Sequence, residues 1–528
     1  MRVIGYHAAN GIIANSDGEY CTEPPFLDFL LEPKPESIKV FYHMEYSVAN
    51  ILRMLNIGEA QAKSLQANGQ LLAEPYLIKH RAGKFMSIKK GHYWSSPFAN
   101  FSDMNQYKPA SFDESSESSV ADCIAKAKEA QKTGEEVYKA LVELGLHPTS
   151  LTSPINAYNK EVLSKVSLPT VDDMPEEAAY YAYQCVQGNW LEAFQIGHWE
   201  KAYDYDINSA YPSELMKLLD IRLGKWVKSK EWVEEAVYGF CKGVVNIKAS
   251  ISPIIYSKDG GEELSYTPTG TWERYLTKKK VEFLRYYNRG DFKLEDGWWW
   301  IPEKKEKILA NLVEQIYWQK ERSTGIAREV TKRVMSGIWG LFLQTQKEGF
   351  GDLFNPAYGA EVESNIRLED AKFIILNGID PIHVSVDGVL SPKKVLLGLE
   401  NGEGRIGRWE LASEDSAICA GTAAVAIKGR RKAADFSIDY DWLVGEIGKE
   451  PGAEEYSMSK LSPITLAVAL NSREWEKLGE LRTITKKVHM GGEMKRRYRE
   501  EPKCGRELLS RTYGSEPWDV SLLNNPGK

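Results

Sequence analysis

The segment Asp206-Ile207-Asn208-Ser209-Ala210-Tyr211-Pro212-Ser213 joins a strand to a helix around one carboxylate. Just before it, Ala202–Ile207 alternates with a two-residue period. A strand there carries Asp204 and Asp206 on one face and Tyr203 and Tyr205 on the other. Pro212 predicts the opening of a helix, because a residue without an N–H loses nothing in the first turn. A carboxylate that ends a strand beside the free N–H groups of a helix start suits a metal-bound polyphosphate. Turns of this kind also occur in α/β proteins of other functions, so the rest of the chain has to decide.

Two downstream segments do so. Apolar residues Ile308, Leu309, Leu312, Val313 and Ile316 predict a helix over Glu303–Arg322, and Ser323-Thr324-Gly325 breaks it. Ile326, Val330, Val334 and Ile338 recur every four residues in a second helix, so an antiparallel helical hairpin is expected. Lys332, Ser336, Trp339 and Gly340 share that helix's other face. A cation there can meet triphosphate oxygens, a ring can stack on a base, and a glycine admits close approach. Further on, His383-Val384-Ser385-Val386-Asp387-Gly388-Val389-Leu390 predicts a hairpin turning at Asp-Gly, with Ser385 and Asp387 on one face.

A length of 528 residues exceeds what one core organises, so about two to four domains are expected. Hydrophobic residues make up 43% and charged residues 27%, an ordinary balance for a soluble protein. A net charge of -7 does not exclude nucleic acid, since clustering of cations decides binding. Between Arg482 and Arg511, 10 Lys/Arg stand against 4 Asp/Glu. The 6 cysteines are scattered without a Cys-x-x-Cys pair, which argues against a zinc site or a disulfide scaffold and fits a reducing cytosol. There is no charged-then-apolar leader and no bilayer-length apolar run, so a cytoplasmic protein with no membrane partner is expected. Toward the N-terminus, strands are predicted at Arg2–Tyr6 and Ser37–Tyr42, a polar loop at Ser111–Ser119, a helix over Val120–Leu144 and another entered near Met174.

Taken in order, the three segments resemble motifs A, B and C of the family B DNA polymerases, in particular the small bacteriophage and plasmid enzymes that include the protein-primed group. In motif A the tyrosine stands five residues after the metal ligand, which selects Asp206 over Asp204 and matches Tyr211. Lys332 through Gly340 is similar to Lys-x-x-x-Asn-Ser-x-Tyr-Gly, with Ser336 for Asn, Gly337 for Ser and Trp339 for Tyr. His383–Leu390 is similar to the Asp-Thr-Asp-Ser segment, with Ser385 for the first aspartate and Asp387 kept as the second. Gly188 through Phe194 looks like the linker ahead of the polymerase domain, Asn355 through Arg367 like the palm helix, and Ile406 through Glu410 like the strand entering the thumb.

The resemblance implies an α/β (α+β) fold: an RNase H-like exonuclease-type N-terminal domain followed by a right-hand palm, fingers and thumb. The implied boundaries are 1–187 for a degenerate exonuclease-like domain, 188–302 and 341–410 for the palm, 303–340 for the fingers and 411–528 for the thumb and basic C-terminal region. It also implies template-directed addition of deoxynucleotides to a 3′-hydroxyl, with two Mg2+ or Mn2+ ions held by Asp206, Asp387 and the carbonyl of Ile207. Nucleotide contacts are expected from Ser209, Tyr211, Lys320, Lys332, Ser336 and Trp339, with Tyr211 as the gate against a 2′-hydroxyl. DNA contacts are expected from Gly188, Arg408, Lys495, Arg496 and Arg497. Primer-template DNA and dNTPs are the implied partners, with a priming protein, helicase or single-strand-binding protein as further candidates. The setting would be the host cytosol if the gene is carried by a phage or plasmid.

The exonuclease pattern is broken. The first strand has no carboxylate before Asp17, Met44 stands for the expected Asn, Ser47 or Val48 stands near the expected Asp, and Asp122 alone could match the third site. Proofreading is therefore expected to be absent. Between Gly340 and Asn355 there is little room for an inserted hairpin, so weak strand displacement is expected. A primase-like or primer-independent polymerase, or a catalytically weak nucleic-acid-binding relic, are the competing readings. A reverse transcriptase is disfavoured because no adjacent aspartates occur at Val386-Asp387-Gly388.

Overall fold

Tyr203, Tyr205 and Ile207 are buried while Asp204 and Asp206 are half-buried, the alternation of a strand with one covered face. They end the long strand Gln195–Ile207. The computed structural model describes residues 1–524 apart from 92, 94, 109–118, 258–264, 347–348, 399–404, 431–437, 454, 490–494 and 503–504. The expected loop Ser111–Ser119 lies outside the described residues except for Ser119. Packing divides the chain into two units, the first made of residues 1–166, 316–335 and 459–485, the second of 167–315, 336–458 and 486–528. Both mix helices and sheet.

In the first unit Arg2–Ala9 is buried at seven of its eight positions because both faces of its sheet are covered. It runs parallel to Ser37–Phe41, with Val3 opposite Ile38, and antiparallel to Ile12–Asn15. The helix Val120–Glu143 lies against it, and glycines set the approach. A Cβ on Gly134 would sit 2.8 Å from Val3 Cγ1, and one on Gly5 would collide with the Ala127 carbonyl. Ile464, Leu466, Ala469 and Leu478, expected in the thumb, instead complete the core around Phe26, Leu30, Met44 and Leu52.

In the second unit the sheet order is Ala424–Ile427, Trp409–Gly421, Gln195–Ile207, Gly388–Ser391, His383–Ser385, Leu191–Ala193, each antiparallel to the next. Trp409–Gly421 follows Gln195–Ile207 along its length, so residues 411–421 are part of this sheet. The helix Pro356–Leu376 opens on an Asn355 cap, whose side chain accepts from the Tyr358 N–H. It is buried on nearly every side, the charged residues Glu361, Glu363, Arg367 and Asp370 included. Phe373 from this helix packs between Tyr205 and Trp409, with ring centroids 5.2 and 4.0 Å away. Glu176–Cys185 buries Ala178, Ala179, Tyr181 and Cys185 in this unit.

Several local expectations need correction. The helix predicted from Glu303 begins at Ala310, because the backbone before it is tied elsewhere: the Asp220 N–H donates to the Glu306 carbonyl at 3.0 Å, and Ile308 donates to Leu218 at 3.3 Å. The helix after motif A opens at Ala210, two residues before Pro212. The segment after Gly340 holds a small hairpin of Thr345–Gln346 and Gly349–Phe350. The helix expected near Met174 is present as Glu176–Cys185, preceded by a 3-10 turn at Val171–Asp173. Among the described residues no helix is long and apolar enough to cross a membrane.

Candidate active site

Strand register brings the two motif carboxylates together. Asp206 stands opposite Gly388 on one neighbouring strand and Glu410 on the other. The Ile207 N–H donates to the Asp387 carbonyl at 3.0 Å. Residues so placed on adjacent strands have Cα atoms roughly 5–8 Å apart, within reach of a shared pair of cations. Asp204, on the same face as Asp206, is ion-paired with Arg430 and so is already engaged.

Asp387 is presented by a tight turn, though not the Asp-Gly turn expected. The two turn residues are Val386 and Asp387, and the Asp387 N–H donates to the Ser385 carbonyl at 2.8 Å. Val386 has φ +65°, a conformation that costs a β-branched residue on the order of 1–3 kcal/mol. It is held by its own N–H, which donates to the Trp190 carbonyl at 2.8 Å. Trp190 is buried, and its Nε1–H donates to Glu192 at 2.7 Å. Glu192 in turn accepts from Thr267 and from Arg496, the latter at 2.8 Å, and both ends of the ion pair are 2% exposed.

This network corrects one expectation and was missed by sequence reasoning. Arg496 does not face solvent to grip DNA. It is buried against the Phe194 ring, 4.4 Å from its centroid, and neutralises Glu192. Arg497 is exposed and pairs loosely with Glu516 at 3.4 Å, while Lys495 Nζ donates to the Leu191 carbonyl at 2.9 Å.

The expected nucleotide-contact residues divide between the units. Tyr211 and Trp339 lie together, with ring centroids 4.8 Å apart and planes at 52°. The Tyr211 hydroxyl donates to Asn189 Oδ1 at 2.7 Å, and the Trp339 indole N–H donates to the Gly359 carbonyl at 3.2 Å. Burial, and then the charge of Asp387, push the Tyr211 hydroxyl above its ordinary pKa. Ser209 sits in the left-handed region at φ 54°, with its hydroxyl donating to Asn208 Oδ1. Ser336 is exposed one turn before Trp339. Gly188 turns at φ +76° beside Asn189, with its carbonyl accepting from Arg367. Arg408 is exposed, and its carbonyl accepts from the Asn208 N–H at 2.9 Å. Lys320 and Lys332 belong to the first unit. Lys332 is exposed, whereas Lys320 is buried, pairs with Glu321 at 3.0 Å and lies over the Tyr317 ring. Burial holds the Lys320 pKa down against that pairing.

A third carboxylate, which sequence reasoning did not single out, stands on the enclosed helix. Asp370 is 0% exposed, and neither of its side-chain oxygens has a hydrogen-bond partner. Burial raises its pKa well above the carboxylate range, and the charge of Asp387 raises it further. Arg367 opposes that shift and Asp206 adds to it. The only signal in the sequence was helical spacing, which puts Glu363, Arg367 and Asp370 at i, i+4 and i+7 on one face. Among the described residues, no three His, Cys, Asp or Glu side chains are already gathered in metal-binding geometry. The half-buried pair Asp206 and Asp387 supplies oxygen donors of the kind that hard cations take.

In the first unit, Asp122 is occupied by a helix cap. Its Oδ2 accepts from the Ser119 N–H at 3.1 Å and the Ser119 hydroxyl at 2.6 Å. Asp17 pairs with Arg2. Glu45 accepts from the Gly83 N–H at 2.7 Å and lies 3.1 Å from His80 Nε2. Asp103 is buried, accepts from the N–H groups of Met44 and Asn105, and is raised to about 6 by burial.

No protein-family profile and no curated protein sequence matches the chain. Solved structures do. The chain has the fold of a phage-type DNA polymerase, a two-part α/β architecture matched along nearly its whole length. Phi29 DNA polymerase in an orthorhombic crystal form superposes with a TM-score of 0.65 at 13% identity, covering 93% of this chain and 100% of that one. The same polymerase complexed with primer-template DNA and incoming nucleotide substrates gives 0.64 at 12% identity, and complexed with single-stranded DNA 0.62 at 13%, with the same coverage.

Proposed function

We propose that the chain is a template-directed DNA polymerase that extends a primer 3′-hydroxyl with deoxynucleotides. The observation that carries this reading is the register setting Asp206 beside Asp387 on adjacent strands, within a fold matched to Phi29 DNA polymerase. Asp206, Asp387 and the Ile207 carbonyl would hold two Mg2+ or Mn2+ ions, which when bound supply activation of the 3′-hydroxyl and charge stabilisation at the leaving pyrophosphate. The chain's own part is positioning. Tyr211, braced by Asn189 and Trp339, forms a rigid wall against which a deoxyribose can pack and a 2′-hydroxyl would clash. Lys332 is an exposed cation on the first unit's part of the helix. Lys320, spent on Glu321, is the weaker candidate. Arg408 and Arg497 are exposed cations for DNA phosphates. The sheet, the helical hairpin and the region beyond 428 would correspond to palm, fingers and thumb.

Proofreading is expected to be absent. The carboxylate nearest to the expected exonuclease pattern, Asp122, closes a helix cap, and Glu45 and Asp103 already accept hydrogen bonds.

Primer extension with Mg2+ or Mn2+ tests the reading. Wild type should extend a primed template, and Asp387→Asn should lose about 100-fold or more in rate while keeping its melting temperature. No extension by wild type with either ion would overturn it. Product from an unprimed template would favour the primer-independent alternative.

A further inference from the structure

One short segment touches both halves of the candidate active site. Gly188-Asn189-Trp190 leads into the strand Leu191–Ala193, which pairs with His383–Ser385 ahead of the Asp387 turn. The Trp190 carbonyl accepts the Val386 N–H at 2.8 Å and so holds that turn. One residue earlier, Asn189 Oδ1 accepts from the Tyr211 hydroxyl at 2.7 Å. Gly188 is held in turn by Arg367, which donates to its carbonyl. The Tyr211 ring and the Asp387 turn are thus located by consecutive residues of a single segment.

Two restraints fix the Tyr211 ring. Trp339 bounds it on one side, with centroids 4.8 Å apart, and is itself anchored by its indole N–H on the Gly359 carbonyl at 3.2 Å. A ring contact alone leaves other staggered positions open to the side chain. The hydrogen bond to Asn189, at the far end of the ring, selects one of them. Asn189 is exposed, and among the described residues its side chain makes no other hydrogen bond. Its amide therefore serves this ring and not the core.

We propose that Asn189 is a specificity-determining positioning residue, which holds Tyr211 against the sugar of the incoming nucleotide and so sets the preference for deoxyribose over ribose. This rests on the polymerase reading above and deepens it: the barrier to a 2′-hydroxyl is the ring tied to Asn189, not the ring alone. Released from Asn189, the ring can swing aside and admit the extra oxygen. One net hydrogen bond shifts an equilibrium about 2- to 12-fold, which bounds the effect.

The test is primer extension by the full chain on one primed template, comparing kcat/KM for a dNTP with that for the matching rNTP. Asn189→Ala should lower the dNTP:rNTP ratio about 3- to 10-fold, chiefly through a lower KM for the rNTP. Tyr211→Phe removes the same hydrogen bond from its other end and should lower the ratio by a similar factor. The double variant should lose no more than the larger single loss, within about twofold. Asn189→Asp still offers an oxygen to the hydroxyl and should keep the ratio within about twofold of wild type, whatever its overall rate. A ratio within about twofold of wild type in Asn189→Ala, with both rates lowered or neither, would overturn the proposal and leave the polymerase reading standing. Losses that multiply in the double variant would also overturn it, because Asn189 would then act on the sugar independently of the ring. No extension by wild type with either ion would remove both readings together.

Discussion

Arg496 and Arg497 are neighbours in sequence and opposites in physics. Arg496 is buried against Glu192, so Arg496→Ala leaves a buried carboxylate without a countercharge, held only by the Trp190 and Thr267 donors, and should cost about 3–5 kcal/mol by urea denaturation. Arg497→Ala breaks a solvent-screened contact and should cost under about 1 kcal/mol. Only the second should weaken DNA binding without weakening the fold. Asp103 gives a pH signature. Its folded pKa of about 6 lies above the ordinary carboxylate value, so the folded state holds the extra proton between about pH 4 and 6, and stability falls as pH rises through that window. Asp103→Asn should therefore gain about 2–3 kcal/mol at pH 7 and nothing near pH 4. The motif A turn, with Tyr211 five residues after Asp206, was legible in the sequence because that spacing is local. The buried pair of Glu192 with Arg496 was not, because long-range pairing leaves no trace in one element's period. Arg496 read as a surface cation simply because its neighbours are basic.

At the scale of elements, the Val386 turn and the Gly5–Gly134 contact show how backbone geometry is set. Val386→Gly removes the steric cost of φ +65° and should raise stability by about 1 kcal/mol after the greater entropy of glycine is counted. The same variant should extend primers more slowly, because Asp387 is then held by a looser turn. Gly5→Ala should destabilise by about 3 kcal/mol, since the added methyl meets the Ala127 carbonyl on a helix that cannot retreat. The two fingers-like helices were legible from period alone. The start of the first was not, because Lys304 and Glu306 have helix-favouring side chains while the backbone of residues 303–308 is tied to residues 218–223. Tertiary hydrogen bonding outweighed propensity there.

For the whole molecule, the basic stretch near the C-terminus is less available than its composition suggests. Arg482 pairs with Glu474, Lys487 with Glu455, Arg496 with Glu192, Arg497 and Arg499 with Glu516, and Arg511 with Glu500. The salt dependence of duplex binding should accordingly be shallow, with a log–log slope smaller in magnitude than about 5, the value that six released counterions would give. Filter binding across a salt series measures this directly.

The first unit also has an unusual assembly history written into it. The side chains that close over Phe26 and Leu30 come from residues 464–478, more than 400 positions later. On the ribosome, at about 5–20 residues per second, the opening segment emerges and then waits on the order of 20–90 s for its missing wall. During that interval an apolar surface stands open to the cell. Nascent chains paused before residue 464 should be captured by chaperones, and chains carried past residue 485 should be released from them.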